Sequence, residues 1–192
     1  MTDMLSKLFG SAARVRLLRL FLFNPRMFFS IPDAASRSRV RTDEAREEIR
    51  LFSRVGLLER NLRSRTTRYG INGDSPYTLA LQNLLLNTPT RASEMYALLR
   101  GVGAIKLVVV SGIFVGEWDG RVDVLIVGDR IRERTLQSRI RLLESEIGKE
   151  IRYAALTVQD FLYRLNLNDR LIRDVFDYPH RIVHDRLDIG LK

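Results

Sequence analysis

A five-residue breaker, Asn72-Gly73-Asp74-Ser75-Pro76, constrains this chain more than any other feature, because the apolar patterning differs on its two sides. Turn formers of this density cannot lie inside a helix or a strand. The 192 residues are therefore read as two blocks, each large enough for a small core. Before the breaker, apolar residues recur mainly at helical spacing. After it, short continuous apolar runs alternate with amphipathic helices.

In the first block Leu5, Leu8, Ala12, Val15, Leu18 and Leu22 recur at intervals of three and four, predicting one helix over about residues 3–23. Asn24-Pro25 ends it, since Pro25 forces Asn24 out of the α region. Ile31–Ser38 reads as a short helix with Pro32 in its first turn, followed by the polar joint Ser38-Arg39-Val40-Arg41. Thr42 is expected to cap a further helix that buries Ala45, Ile49, Phe52 and Val55 and stops at Gly56. Leu57–Leu62 and Thr66–Ile71 then read as two strands around Arg63-Ser64-Arg65, a hairpin with a basic tip. Helix, short helix, turn, helix and hairpin is the order of a winged helix–turn–helix. Tyr77–Leu86 reads as one more helix, suited to linking or to dimer formation.

The second block is α/β in pattern. Asn87-Thr88-Pro89 breaks the linker, Thr90 is expected to cap a helix over Arg91–Arg100, and Met95, Leu98 and Leu99 lie on its apolar side. Lys106–Val110 and Val122–Val127 are continuous apolar runs of the kind that buried strands of a parallel or mixed sheet require. A long helix with Leu136, Ile140, Leu143 and Ile147 in register follows. Glu150–Thr157 is a third strand, Val158–Tyr163 and Asp169–Phe176 are helical, and Arg181-Ile182-Val183 is a last short strand.

Residue usage narrows the chemistry. The absence of cysteine excludes disulfides, thiolate metal sites and a cysteine nucleophile. The two histidines, His180 and His184, flank an extended-looking Ile182-Val183, so the spacing of four does not make a helical metal pair. Trp118, the single tryptophan, falls in the loop between the first two strands of this block and reads as a half-buried anchor. No apolar run approaches the roughly 18 residues of a membrane span. Asp3 and the arginines in the N-terminal apolar stretch do not fit a secretory signal, so a cytoplasmic location is expected. The net charge of +9 is unevenly placed: residues 1–76 hold 15 Lys and Arg against 8 Asp and Glu, whereas residues 77–192 hold 17 against 15. All cations but Lys7, Lys106, Lys149 and Lys192 are arginine, the side chain best shaped for phosphate and guanine. A polyanion partner for the first block is the economical inference.

Residues 8–71 resemble the winged-helix domains of arsenic-repressor-type and related prokaryotic regulators. LFGSAARVRLLRLFLFNP is similar to their opening helix, and REEIRLFSRVGLLER to the run from recognition helix into wing. Residues 104–185 resemble the minimal, polymerase-β-like nucleotidyltransferase fold, and the two together resemble a two-domain set of transcriptional regulators. The resemblance implies that an active nucleotidyltransferase carries Gly-Ser at the end of the first strand and Asp-x-Asp at the start of the second. Backbone amides and a hydroxyl then hold the triphosphate, and paired carboxylates hold Mg²⁺ against it. Here the stretch is VVVSGIFVGEWDGRVDVLIVGD: Ser111-Gly112 stands for Gly-Ser, Gly116-Glu117 keeps its place, and Arg121-Val122-Asp123 stands for Asp-x-Asp.

Three readings of this second block stay open at this stage. In one it keeps the fold without the chemistry, Arg121 pairing with Asp123 or a loop acid. In another, Asp119, Asp123 and Glu150 form an atypical active site for Mg²⁺. In the third, Ser111, Gly112, Gly116, Arg121 and Asp123 line a degenerate pocket that senses an anionic ligand such as a nucleotide.

The expectation as a whole is an α+β chain. It comprises a winged helix–turn–helix over residues 1–76, a linker helix over 77–90, and an inactive nucleotidyltransferase-like domain with a small mixed sheet over 91–192. It would act as a transcriptional regulator on double-stranded DNA, as a homodimer, without cofactor, metal or membrane. The resemblance implies that the second helix of the turn enters the major groove and that the wing lies along the backbone or in the minor groove. Arg46 and Arg50, one turn apart, face outward there with Thr42, Asp43 and Glu47; Arg39, Arg41 and Thr42 sit near phosphate, as do Arg63, Arg65 and Arg68 of the wing. Two competing readings are a face of helical ion pairs such as Asp43–Arg46 or Glu47–Arg50, and a protein-interaction module of toxin–antitoxin type.

Overall fold

A computed structural model describes residues 4–61, 66–86, 95–117 and 120–188, and it breaks the opening helix that apolar spacing predicts as continuous. Helix α1 covers Met4–Leu8 and α2 covers Ala12–Leu22. Between them Gly10 takes a left-handed φ of +73°, and Ser11 caps α2 by accepting from Arg14 N at 3.1 Å. The break also turns Leu8 and Ala12 outward, while Leu5, Val15, Leu18 and Leu22 stay buried. Arg63, Arg65, Trp118 and Asp119, and the break and cap assigned to Asn87–Thr90, lie outside the described residues.

The chain separates into two compact units, residues 1–88 with 141–150, and residues 89–140 with 151–192. In the first, α3 (Ile31–Ser38) follows an N-cap at Ser30, and Arg39 in left-handed conformation ends it. Helix α4 (Thr42–Arg54) begins one residue earlier than a Thr42 cap requires: Arg41 holds the N-cap position, and its backbone N–H donates to Glu44 Oε2 at 3.2 Å. Gly56, at φ +74°, follows the last turn as predicted. Ala45, Ile49 and Phe52 are buried against α2 and α3, but Val55 is 56% exposed, because it already belongs to the helix terminus. Strands β1 (Leu58–Asn61) and β2 (Arg68–Ile71) pair antiparallel, and Phe29 adds a bridge to Tyr69. Helix α5 (Thr78–Leu86) closes this stretch, and Gln82 Nε2 donates to Leu22 O at 3.0 Å.

The second unit is built on a four-stranded sheet in the order β5-β4-β3-β6. These strands are β3 (Ala104–Val110), β4 (Val124–Asp129), β5 (Tyr153–Leu156) and β6 (Arg181–Asp185). Strand β3 runs antiparallel to β4 and β6, and β4 runs parallel to β5, which the crossover helix α7 (Glu133–Ile147) permits. Sheet and helices make the mixed α+β class expected. Both central strands are buried along nearly their whole length, which is why they read as unbroken apolar runs. Leu107, Val109, Leu125 and Val127 share one face and pack with Phe161 of α8 (Val158–Asn166) and Ile172 and Val175 of α9 (Arg170–Phe176). The short helix α6 covers Met95–Leu98. Among the described residues, no helix is long and apolar enough to cross a membrane.

Candidate functional site

Two groups of residues concentrate chemistry, one in each unit. In the first unit, a period of 3.6 residues carries Arg46, Arg50 and Arg54 up one side of α4, four apart, opposite the buried Ala45, Ile49 and Phe52. All three are exposed and carry no ion pair among the described residues. The helical pairs Asp43–Arg46 and Glu47–Arg50 do not form. Asp43 is instead held by Arg41, whose Nε donates to Oδ1 at 3.1 Å and whose Nη2 donates to Oδ2 at 2.5 Å. Arg41, expected beside a phosphate, is thus tied to the first turn of α4, while Thr42 and Arg39 are exposed next to it.

The helix is less acidic on its outer side than its composition suggests. Glu48 is turned inward, 2.8 Å from Arg14 Nε of α2, and belongs to the core rather than to the surface. Arg68 is exposed on β2, across the hairpin from Asn61. Arg54 and Arg60 were not singled out by sequence reasoning, although continuing the interval of four from Arg46 and Arg50 reaches Arg54. Together with Arg50, Ser53 and Leu58 they line an open cleft of about 600 Å³.

In the second unit, β3 ends in a 3₁₀ turn, Gly112–Phe114, and Asp123 lies just before β4. Ser111 Oγ donates to Val122 O at 2.7 Å, and Ser111 N donates to Asp123 O at 2.9 Å, so Ser111 closes the turn rather than facing a ligand. The Asp123 carboxylate is fully buried. Its Oδ2 accepts from Arg152 N at 2.8 Å and Arg152 Nε at 3.0 Å, and its Oδ1 from Arg152 Nη2 at 3.0 Å and Ile113 N at 3.1 Å. Four N–H donors match the capacity of the two carboxylate oxygens, about four lone-pair sites. Gly112, at φ +52°, would place a Cβ 2.2 Å from Oδ1, so only glycine lets the carboxylate come this close.

The expected partner of Asp123 is therefore corrected. Arg152, directly before β5, neutralises it; Arg121 points to Asp174 of α9 at 3.6 Å. Parallel pairing of Val124 with Tyr153 explains this, because it sets the residues preceding each strand side by side. Glu150 lies with the first unit and pairs with Arg37 at 3.0 Å. Gly116, at φ +91°, and Glu117 are exposed, and the Glu117 N–H donates to Gly112 O at 2.8 Å. Among the described residues no three His, Asp or Glu side chains converge as metal ligands. His180 and His184 also stay apart in role: His184 lies in β6 stacked on Tyr96, with ring centroids 3.7 Å apart, and His180 contacts Tyr178 O.

No protein-family model, curated protein sequence or solved structure matches the chain.

Proposed function

We propose that this chain is a transcriptional regulator that binds double-stranded DNA through a winged helix formed by α2, α3, α4 and the β1–β2 hairpin. The observation that carries the reading is the stripe of exposed arginines, Arg46, Arg50 and Arg54, without an ion pair among the described residues, on α4, the second helix of the α3–α4 pair. A helix so placed is the element that a helix–turn–helix inserts into the major groove, where Arg reads guanine O6 and N7. Arg39, Thr42 and Arg68 flank the stripe and reach phosphates, and Arg63 and Arg65, which fall between β1 and β2 in the sequence, add two cations to this part of the chain. The inward turn of Glu48 supports the same reading, because it removes one carboxylate from the face that meets DNA.

The second unit is a nucleotidyltransferase-like module without metal-dependent catalysis. Its order of strand β3, glycine-bearing turn, Asp123 and β4, helix α7 and strand β5 supports the kinship. The four donors on Asp123 support the loss of chemistry, since a carboxylate saturated by N–H groups has no lone pair to offer Mg²⁺. The regulator acts as a homodimer, the usual arrangement for reading paired half-sites. Tyr77, Leu79 and Leu84 stand exposed on and beside α5, the element suited to that contact.

Selection from a random duplex pool, titrated with salt, tests the function. An enriched sequence retained at physiological salt, with affinity falling steeply as salt rises, is the expected result. Arg46→Ala and Arg50→Ala each lower specific affinity by roughly 1–3 kcal/mol and relax the choice of base. Equal affinity in both variants, with the fold intact, refutes the assignment of α4.

A further inference from the structure

We propose that the cleft between the C-terminal half of α4 and strand β1 is a phosphate-binding site, which takes a phosphodiester of the duplex backbone while the upper part of α4 reads the groove. The proposal rests on the DNA-binding reading, adds Ser53 and Arg60 to its contacts, and assigns Arg54, at the far end of the α4 stripe, to the backbone rather than to a base.

The local geometry converges from two elements. On α4, Arg50, Ser53 and Arg54 fall at positions i, i+3 and i+4, one face of the helix. On β1, Leu58 and Arg60 are two apart, one face of the strand, and alternation sends Glu59 to the other side. These five residues line the open cleft of about 600 Å³, and no carboxylate is among them. Three guanidinium groups that share a cleft repel one another unless an anion joins them.

Two details point to an oxyanion as that partner. Ser53 Oγ is buried without a hydrogen-bond partner among the described residues. A helical serine commonly returns its hydroxyl to the carbonyl four residues back, so an unused donor beside three cations suits a ligand oxygen. Arg60 is steadied by its guanidinium lying over the ring of Tyr69, its register partner on β2, 5.8 Å from the ring centroid. The backbone of a duplex is the occupant because Arg50 belongs to both the cleft and the arginine stripe of α4. One side chain therefore joins the base-reading face to the cleft.

The test measures binding of a selected duplex to the full chain by fluorescence anisotropy at several salt concentrations. The wild type is compared with Arg54→Ala, Arg60→Ala, the double variant and Ser53→Ala, with circular dichroism as the check on folding. Loss of two phosphate contacts is expected to weaken binding to every sequence alike and to leave the enriched sequence unchanged. It also flattens the salt dependence: raising salt fourfold costs the double variant about twelvefold less affinity than it costs the wild type. Arg54→Lys, which keeps the charge and loses the fork, keeps most of the salt slope. Unchanged affinity and slope in a folded double variant overturn the proposal, as does a change of sequence preference, which would assign these arginines to base reading. Wild-type protein that binds no duplex overturns the parent function and the backbone as occupant. Inorganic phosphate then decides the cleft by itself: shifts at the Arg50, Arg54 and Arg60 Nε–H resonances that vanish in Ser53→Ala keep an oxyanion site, and their absence removes it.

Discussion

Replacing Asp123 by asparagine separates a carboxylate that holds the fold from one that holds a metal. The side chain keeps its size, but an NH₂ group takes the place of one oxygen. If it replaces Oδ1, it faces the Ile113 N–H and Arg152 Nη2; if it replaces Oδ2, it faces the Arg152 N–H and Nε. Either orientation turns two hydrogen bonds into donor–donor contacts, one of them to a charged group. A charged bond is worth about 1.5–3 kcal/mol and a neutral one about 0.5–1.5 kcal/mol. Arg152 is 40% exposed and turns partly to water, which discounts the loss. The expected destabilisation is about 2–4 kcal/mol, lowering the urea midpoint of the second unit by roughly 1–2 M at a slope of about 2 kcal/mol/M. Hydrogen exchange at the Ile113 and Arg152 amides follows that unit directly. Arg152→Gln destabilises as well, and the double variant loses less than the two single losses together, because they remove one interaction. A change below about 0.5 kcal/mol for Asp123→Asn refutes the reasoning. So does Mg²⁺-dependent transfer from a nucleoside triphosphate that the substitution abolishes while stability is kept.

Three further outcomes follow from the same structure. Gly112→Ala costs about 2 kcal/mol or more in thermal denaturation, since its Cβ meets Asp123 Oδ1 at 2.2 Å in a left-handed turn; an unaltered melting temperature counts against the packing described. Glu48→Ala leaves the one-third-exposed Arg14 without its carboxylate and lowers stability by about 1–2 kcal/mol, with duplex affinity per folded molecule unchanged; a large loss of affinity would place Glu48 at the DNA face. Burial, and then the charge of Arg186, hold the His184 imidazole below its usual 6.5, against the Ile105 backbone and Asp185, which raise it. The folded state therefore favours neutral His184, a contribution present above pH 6.5 and lost as pH falls through the folded value. An NMR titration midpoint at or above 6.5, or the same acid-side loss of stability in His184→Gln, refutes it.

Local patterns were legible where one physical rule dominates. The buried strands β3 and β4 announce themselves as unbroken runs because both of their faces are covered. Gly56 announces the end of α4 because few other residues adopt its conformation cheaply. The opening helix was misread because apolar spacing runs unbroken across Gly10, and spacing does not register that glycine there takes a left-handed turn and hands Ser11 the cap. Val55 was misread for a related reason: it keeps the interval of the buried stripe one residue beyond the point where the helix has a neighbour.

Charge pairing was the least legible feature. The arginine stripe of α4 is written in the sequence as an interval of four, and its Asp and Glu neighbours are written there too. Which carboxylate faces which guanidinium is not. Glu48 and Glu47 are adjacent, yet one meets Arg14, 34 residues away, and the other faces outward, because the packing of α4 on α2 decides which of them turns inward. Asp123 and Arg121 are two apart, yet Asp123 takes Arg152, 29 residues on, because parallel pairing of β4 with β5 sets those two positions side by side. The sequence by itself determined the mixed α+β class, the two patterns on either side of the Asn72–Pro76 breaker, and the concentration of arginine before it. Those depend on local propensity and composition. Tertiary structure alone decided which charges are buried with a partner and which stand exposed without one among the described residues, since an ion pair follows from the proximity that folding creates.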